Sequence, residues 1–99
     1  MLVAAEDTTI KRAAGFTGSM FTVNGGNLQM AGGSVTDSNG TAIGSGSLTV
    51  DGSGDGVTGS IVEVVSGNYG LTDDAVLTGN KTTGNAGAIS NTADGNVYL

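Results

Sequence analysis

The chain has 99 residues, a net charge of −6, and no Cys, His or Pro. That length allows one domain, and the missing residue types exclude disulfides, thiolate chemistry, the commonest general base and the commonest transition-metal ligand. Lys11, Arg12 and Lys81 are the only cations against nine carboxylates, which argues against nucleic-acid phosphates or anionic membranes as partners, and no apolar run reaches the ~18 residues that cross a bilayer.

Residues 1–15, MLVAAEDTTIKRAAG, lack the basic start and long apolar stretch of a signal peptide. The expectation is a chain that stays where it is made until assembly, or an excised module. This segment reads as an N-terminal cap or arm. From residue 16 onward a four-residue phrase recurs, an apolar residue followed by Thr, a small residue, and Ser or Asn. It stands at 16–19, 35–38, 57–60 and 77–80. Its leading residues Phe16, Val35, Val57 and Leu77, followed by Val97, are separated by 19, 22, 20 and 20 positions. The units are therefore 16–34, 35–56, 57–76, 77–96 and a partial 97–99.

Between the phrases, apolar residues come in i, i+2 pairs: Phe21 with Val23, Leu28 with Met30, Leu48 with Val50, Val62 with Val64, and Tyr69 with Leu71; in the last unit Ile89 stands with Asn91 in the second place. Thr8 and Ile10 form an earlier pair. That is strand periodicity, punctuated by Gly, Asn, Ser and Asp, which turn a chain at little cost. Repeats of this length bury their apolar pairs by stacking. The pattern predicts an all-β protein, a short parallel β-solenoid (β-helix) of about four to five coils of about 20 residues. The alternative is a small β-sandwich or barrel with evenly spaced strands. The solenoid places Phe16, Val35, Val57 and Leu77 in one inward column, with Gly or Asp37 at corners.

Thr17, Ser19, Thr36, Ser38, Thr58, Ser60, Thr78 and Asn80 then form an uncharged outward ladder. Such an array resembles the flat Thr faces of ice-binding solenoids, and makes ice or glycan binding an alternative function. Thr on a pleated surface and Ser or Asn at turns account for it equally well. Met20 and Ile61 fall at an outward position, and Lys11–Arg12 reads as a solvated pair. Asp51, Ser53 and Asp55 have the spacing of the first ligands of a calcium loop, but Val62 occupies the position of the closing carboxylate. A solvated turn is the simpler reading there, and no cofactor is implied. A polysaccharide-degrading enzyme needs two carboxylates about 5–9 Å apart. Asp37 or the adjacent Asp73 and Asp74 are the candidates, and their spacing argues for turns and against catalysis. Val97 and Leu99 read as core residues of an uncapped last coil. With Tyr98 they are the expected assembly residues.

The stretches FTGSMFTVNGGNLQMAGGSVTDSNGTAI (16–43) and LTGNKTTGNAGAISNT (77–92) resemble the imperfect repeats of right-handed parallel β-helix surface proteins. These include autotransporter passenger domains, polymorphic outer-membrane proteins and phage fibres. Phe21–Asn24 matches the F-x-x-N element of the polymorphic proteins, and Ala86–Ile89 is close to their G-G-A-I element. The resemblance implies an elongated, non-catalytic component of a virion or of an extracellular or cell surface. The sequence-level expectation for function is thus a structural protein that associates with itself or with a larger assembly.

Overall fold

Short apolar–polar alternations broken by Gly and Asn offer no helical stripe, and the chain folds as strands throughout. The computed structural model describes residues 1–82 and 87–99, save for the side chains at 54, 55, 73 and 82. Among the described residues there is no helix. These residues form nine strands: β1 (Thr8–Lys11), β2 (Phe21–Gly32), β3 (Val35–Thr36), β4 (Ala42–Gly44), β5 (Leu48–Val57), β6 (Val62–Asp73), β7 (Ala75–Thr82), β8 (Ile89–Asn91) and β9 (Asn96–Tyr98).

They form three separate sheets, none of them closed. One is parallel with order β1-β5-β7; the second is parallel with order β2-β6-β8, and β9 also pairs with β6; the third is the antiparallel β3-β4 hairpin. Apart from the hairpin, the chain through β8 alternates between the two parallel sheets, each returning strand beside its predecessor; β9 stays in the second sheet and pairs with β6, and β5 and β6 are the middle strands.

The register overturns the solenoid of four to five coils of about 20 residues. Thr8 pairs with Leu48 and Phe21 with Val62, about twice the expected step. Leu48 pairs with Ala75 and Val62 with Ile89, 27 positions on. Among the described residues no pairing falls at 20. Nor do the leading residues of the phrase align. Phe16 is 47 % exposed in the turn before β2, Val35 lies in the hairpin, Val57 ends β5, and Leu77 pairs with Val50. The separate sheets and the antiparallel hairpin fit the small β-sandwich named as the alternative. The physical reason is that the phrase falls in a turn at 16–19, in the hairpin at 35–38 and inside β7 at 77–80, whereas the i, i+2 pairs are tied to a core.

Those pairs do lie in strands, and side chains from both parallel sheets meet in one core. Val23, Met30, Leu48, Val50, Ile61, Val62, Val64 and Tyr69 are buried there together with Ala4. Ile61, expected to face out, is fully buried. Tyr69 sits at the centre, its hydroxyl donating to the Met30 sulfur at 3.2 Å. Burial pushes its phenol up to about 12.

Residues 2–7 cross from one sheet to the other. Leu2 bridges to Met30 and Ala4 to Gly46. The Ser47 N–H donates to Asp7 Oδ1 at 3.0 Å, which holds that carboxyl below the usual carboxylate range. The expected arm therefore ends in a strand, since Thr8–Lys11 is an integral edge of the first sheet. Where β2 and β6 bulge together, Gly67 takes φ +86°, and a Cβ there would run into the carbonyl of Gly26.

Candidate functional site

Three columns of apolar side chains run across the sheets. They are Ile10–Val50–Leu77, Phe21–Val62–Ile89 and Leu28–Tyr69–Val97. In each the middle member is at most 1 % exposed, while both outer members are only half-buried. The molecule thus has two ends. One is formed by the free edges of β1 and β2, the other by those of β7, β8 and β9. At each end, strands keep most of one side without a partner among the described residues, Leu2 bridging the outer side of β2 at Met30, and apolar rows stay half-covered. Such edges are templates for further pairing.

A second column runs alongside the third, on the solvent side. Asn68 Nδ2 donates to Asn27 Oδ1 at 2.6 Å, and Asn96 Nδ2 donates to Asn68 Oδ1 at 3.0 Å. The three amides are in strand register. Stacked carboxamides of this kind add hydrogen bonds parallel to the backbone ladder. Every bond in the column points the same way, so the two ends differ. Among the described residues, Asn27 Nδ2 has no acceptor at the β2 end and Asn96 Oδ1 has no donor at the β9 end.

Arg12 ties the sheets from within. It follows β1 in the alternation Thr8, Ile10, Arg12, so its side chain turns inward and it is 6 % exposed. This corrects the solvated Lys11–Arg12 pair, of which only Lys11 is exposed. The guanidinium donates from Nε to Gly52 O at 2.7 Å, from one terminal nitrogen to Gly18 O, and from the other to Asn80 Oδ1 at 2.8 Å and Ser60 O at 3.5 Å. Asn80 in turn donates to Gly59 O at 3.1 Å and Gly87 O at 3.0 Å. The carbonyls the cluster satisfies lie in β5 and in the segments just before β2, β6 and β8.

The expected Thr–Ser ladder is not brought onto one face. Thr17 and Thr58 adjoin, the Thr58 hydroxyl donating to Thr17 O at 3.2 Å. Ser60 near Ser19 is fully buried and shares a 2.8 Å hydrogen bond with Ser90. Thr36 lies in the hairpin with Ser38 just after it, Thr78 lies in the first sheet, and Asn80 faces Arg12.

Asp37 and Asp51 each hold a local turn of the backbone. Asp37 Oδ1 accepts from the N–H groups of Asn39 and Thr41, at 2.8 and 3.0 Å. Asp51 Oδ1 accepts from the N–H of Ser53 at 2.8 Å. The side chains of Asp55 and Asp73 lie outside the described residues, as does Ala86 of the G-G-A-I-like element. An open groove lies beside the second sheet, lined by Ser19, Thr58, Ser60, Glu63, Ser90 and Asn91 among others. Among the described residues, Glu63 is the ionisable group that lines it. No three carboxylates converge among the described residues. Of the expected assembly residues, Val97 is half-buried against the core, whereas Tyr98 and Leu99 are 60 and 85 % exposed. Leu99 is thus not a core residue.

The amide column escaped the twenty-residue reading, although the sequence carries a signal for it. Gly-Asn followed by a large apolar residue occurs at 26–28, 67–69 and 95–97, the spacings of the observed strand register. Compared with protein-family models, curated proteins and solved structures, the chain matches none.

Proposed function

We propose that this protein is a non-enzymatic structural component that associates with copies of itself through the open ends of its two parallel sheets. One observation carries the reading: three apolar columns buried at the middle strands are half-covered at both ends. A second copy laid on either end extends the backbone ladders and covers those rows. Each row fully removed from water contributes about 1.5–3 kcal/mol per large side chain, and the unpaired edge groups gain partners. Assemblies of virions and of extracellular or cell surfaces, which the β-helix resemblance implied, are settings that suit such a component.

Sedimentation velocity of the purified chain over rising concentration tests this. Oligomers or filaments that grow with concentration are expected. A monomer at the highest soluble concentration would remove the proposal.

A further inference from the structure

The polarity of the asparagine column points to how copies join. Resting on the self-association reading, we infer that the contact is head to tail: the β7/β8/β9 end of one copy receives the β1/β2 end of the next. In that contact the Asn27 Nδ2 of the incoming copy donates to Asn96 Oδ1.

Within the chain every step of the column has one sense, the later strand donating to the earlier one, Asn68 to Asn27 and Asn96 to Asn68. An acceptor is left at one end and a donor at the other. The two ends are therefore complementary to each other and not to themselves. Two β9 ends set together would bring Asn96 Oδ1 against a second carbonyl oxygen, and two β2 ends would set Nδ2 against Nδ2. Joining β9 to β2 adds another Asn–Asn step identical to the two already present.

The strand rows agree with the amides. Within the chain Phe21, Val62 and Ile89 share a row, as do Thr9, Thr49 and Val76. Continuing the register sets Phe21 of the incoming copy on Ile89, its Ile10 on Leu77 and its Leu28 on Val97. Each half-buried residue of one end then covers a half-buried residue of the other. The row through Met30 and Leu71 fits too. β9 ends at Tyr98, one place short of that row. The incoming copy brings Leu2, which its own backbone already bridges to Met30 with the Leu2 N–H on Gln29 O at 2.7 Å. A heterologous contact of this kind repeats without closing unless its rotation forms a ring.

Two sets of variants test the inference. Asn27→Asp keeps an oxygen for Asn68 Nδ2, so the intramolecular bond survives. It removes the donor and sets a carboxylate against Asn96 Oδ1 of the neighbour. Association weakened about tenfold or more, with an unchanged melting temperature, is expected; unchanged association would overturn the amide contact. The second set uses the absence of native Cys. Thr9→Cys and Val76→Cys are made as separate variants of the full chain. In one copy these two exposed positions flank Thr49, two strand spacings or roughly 9.6 Å apart, beyond disulfide reach. Under mild oxidation neither variant alone should cross-link, whereas the mixture should yield a disulfide dimer. Dimers from either variant alone would overturn the head-to-tail order while leaving self-association standing. An unmodified chain that stays monomeric removes the self-association reading itself.

Discussion

The guanidinium of Arg12 and the amide oxygen of Asn80 meet at 2.8 Å across a sequence separation of 68 residues. The bond joins the strand that opens the first sheet to the strand that closes it, through the interior. Arg12 has no carboxylate within the cluster; its partners are three backbone carbonyls and one amide. The planar fork of Arg suits this, because its donors diverge in fixed directions toward several acceptors at once.

Arg12→Ala is expected to lower stability by about 2–5 kcal/mol, since it strands buried acceptors and leaves a cavity along the side-chain stem. Arg12→Lys should recover only part of the loss, because a single ammonium cannot span the same acceptors. Urea unfolding midpoints measure both. A change within about 0.5 kcal/mol, the range of ordinary surface substitutions, would mean that Arg12 is solvated after all.

Two glycines with nearly the same backbone angle should respond differently to one methyl group. Gly25 has φ +88° with open space where a Cβ would go; Gly67 has φ +86° with the Gly25–Gly26 backbone in the way. Gly25→Ala pays the left-handed penalty alone, about 1–2 kcal/mol. Gly67→Ala adds about 1–3 kcal/mol of overpacking between β2 and β6. Equal melting temperatures for the two variants would contradict the close approach of the strands.

How far the fold could be read from sequence depends on which residues are examined. The i, i+2 pairs Phe21/Val23, Leu28/Met30, Leu48/Val50, Val62/Val64 and Tyr69/Leu71 all lie in strands, because alternation follows from backbone geometry and burial. Their order in space was not legible from the twenty-residue phrase. Leu48/Val50 stands in the same phase as Leu28/Met30 but belongs to the other sheet. The phrase falls in a turn at 16–19 but inside β7 at 77–80, so it carries no register. The true steps of 41 and 28 are visible in Gly26-Asn27-Leu28, Gly67-Asn68-Tyr69 and Gly95-Asn96-Val97. Their inequality hides them from a search for a constant period. The hairpin at 35–44 lies in the longer interval, between β2 and β5. Arg12 was legible in principle, two places after Ile10, but a charged residue there reads as solvated unless its buried partners are known.

Alkaline pH should find the centre of the core. Tyr69 is fully buried, and its phenol is raised from 10 to about 12. The neutral form is favoured by folding, so this contribution is fully present below pH 10 and is lost as pH rises through 12. At about 1.4 kcal/mol per unit, the loss reaches about 3 kcal/mol by pH 12. Tyr69→Phe, which keeps the ring and lacks the ionisable hydroxyl, should flatten this part of the profile. Parallel pH profiles for the two proteins would exclude the linkage.

Salt should promote association. Each copy carries a net charge of −6, so copies repel at long range whatever contacts they later make. Raising ionic strength from about 0.01 to about 0.15 M shortens the screening length from about 30 to about 8 Å. The contacts proposed between copies are backbone ladders, apolar rows and an amide–amide hydrogen bond. None of these is an ion pair that the same salt would weaken. Sedimentation at matched concentrations should therefore give larger species at the higher salt. Asn27→Asp adds one more negative charge at the joint, so its association should rise more steeply with salt than that of the unmodified chain. Association that falls as salt rises would mean that opposite charges hold the copies together, and the apolar and amide contact would have to be abandoned.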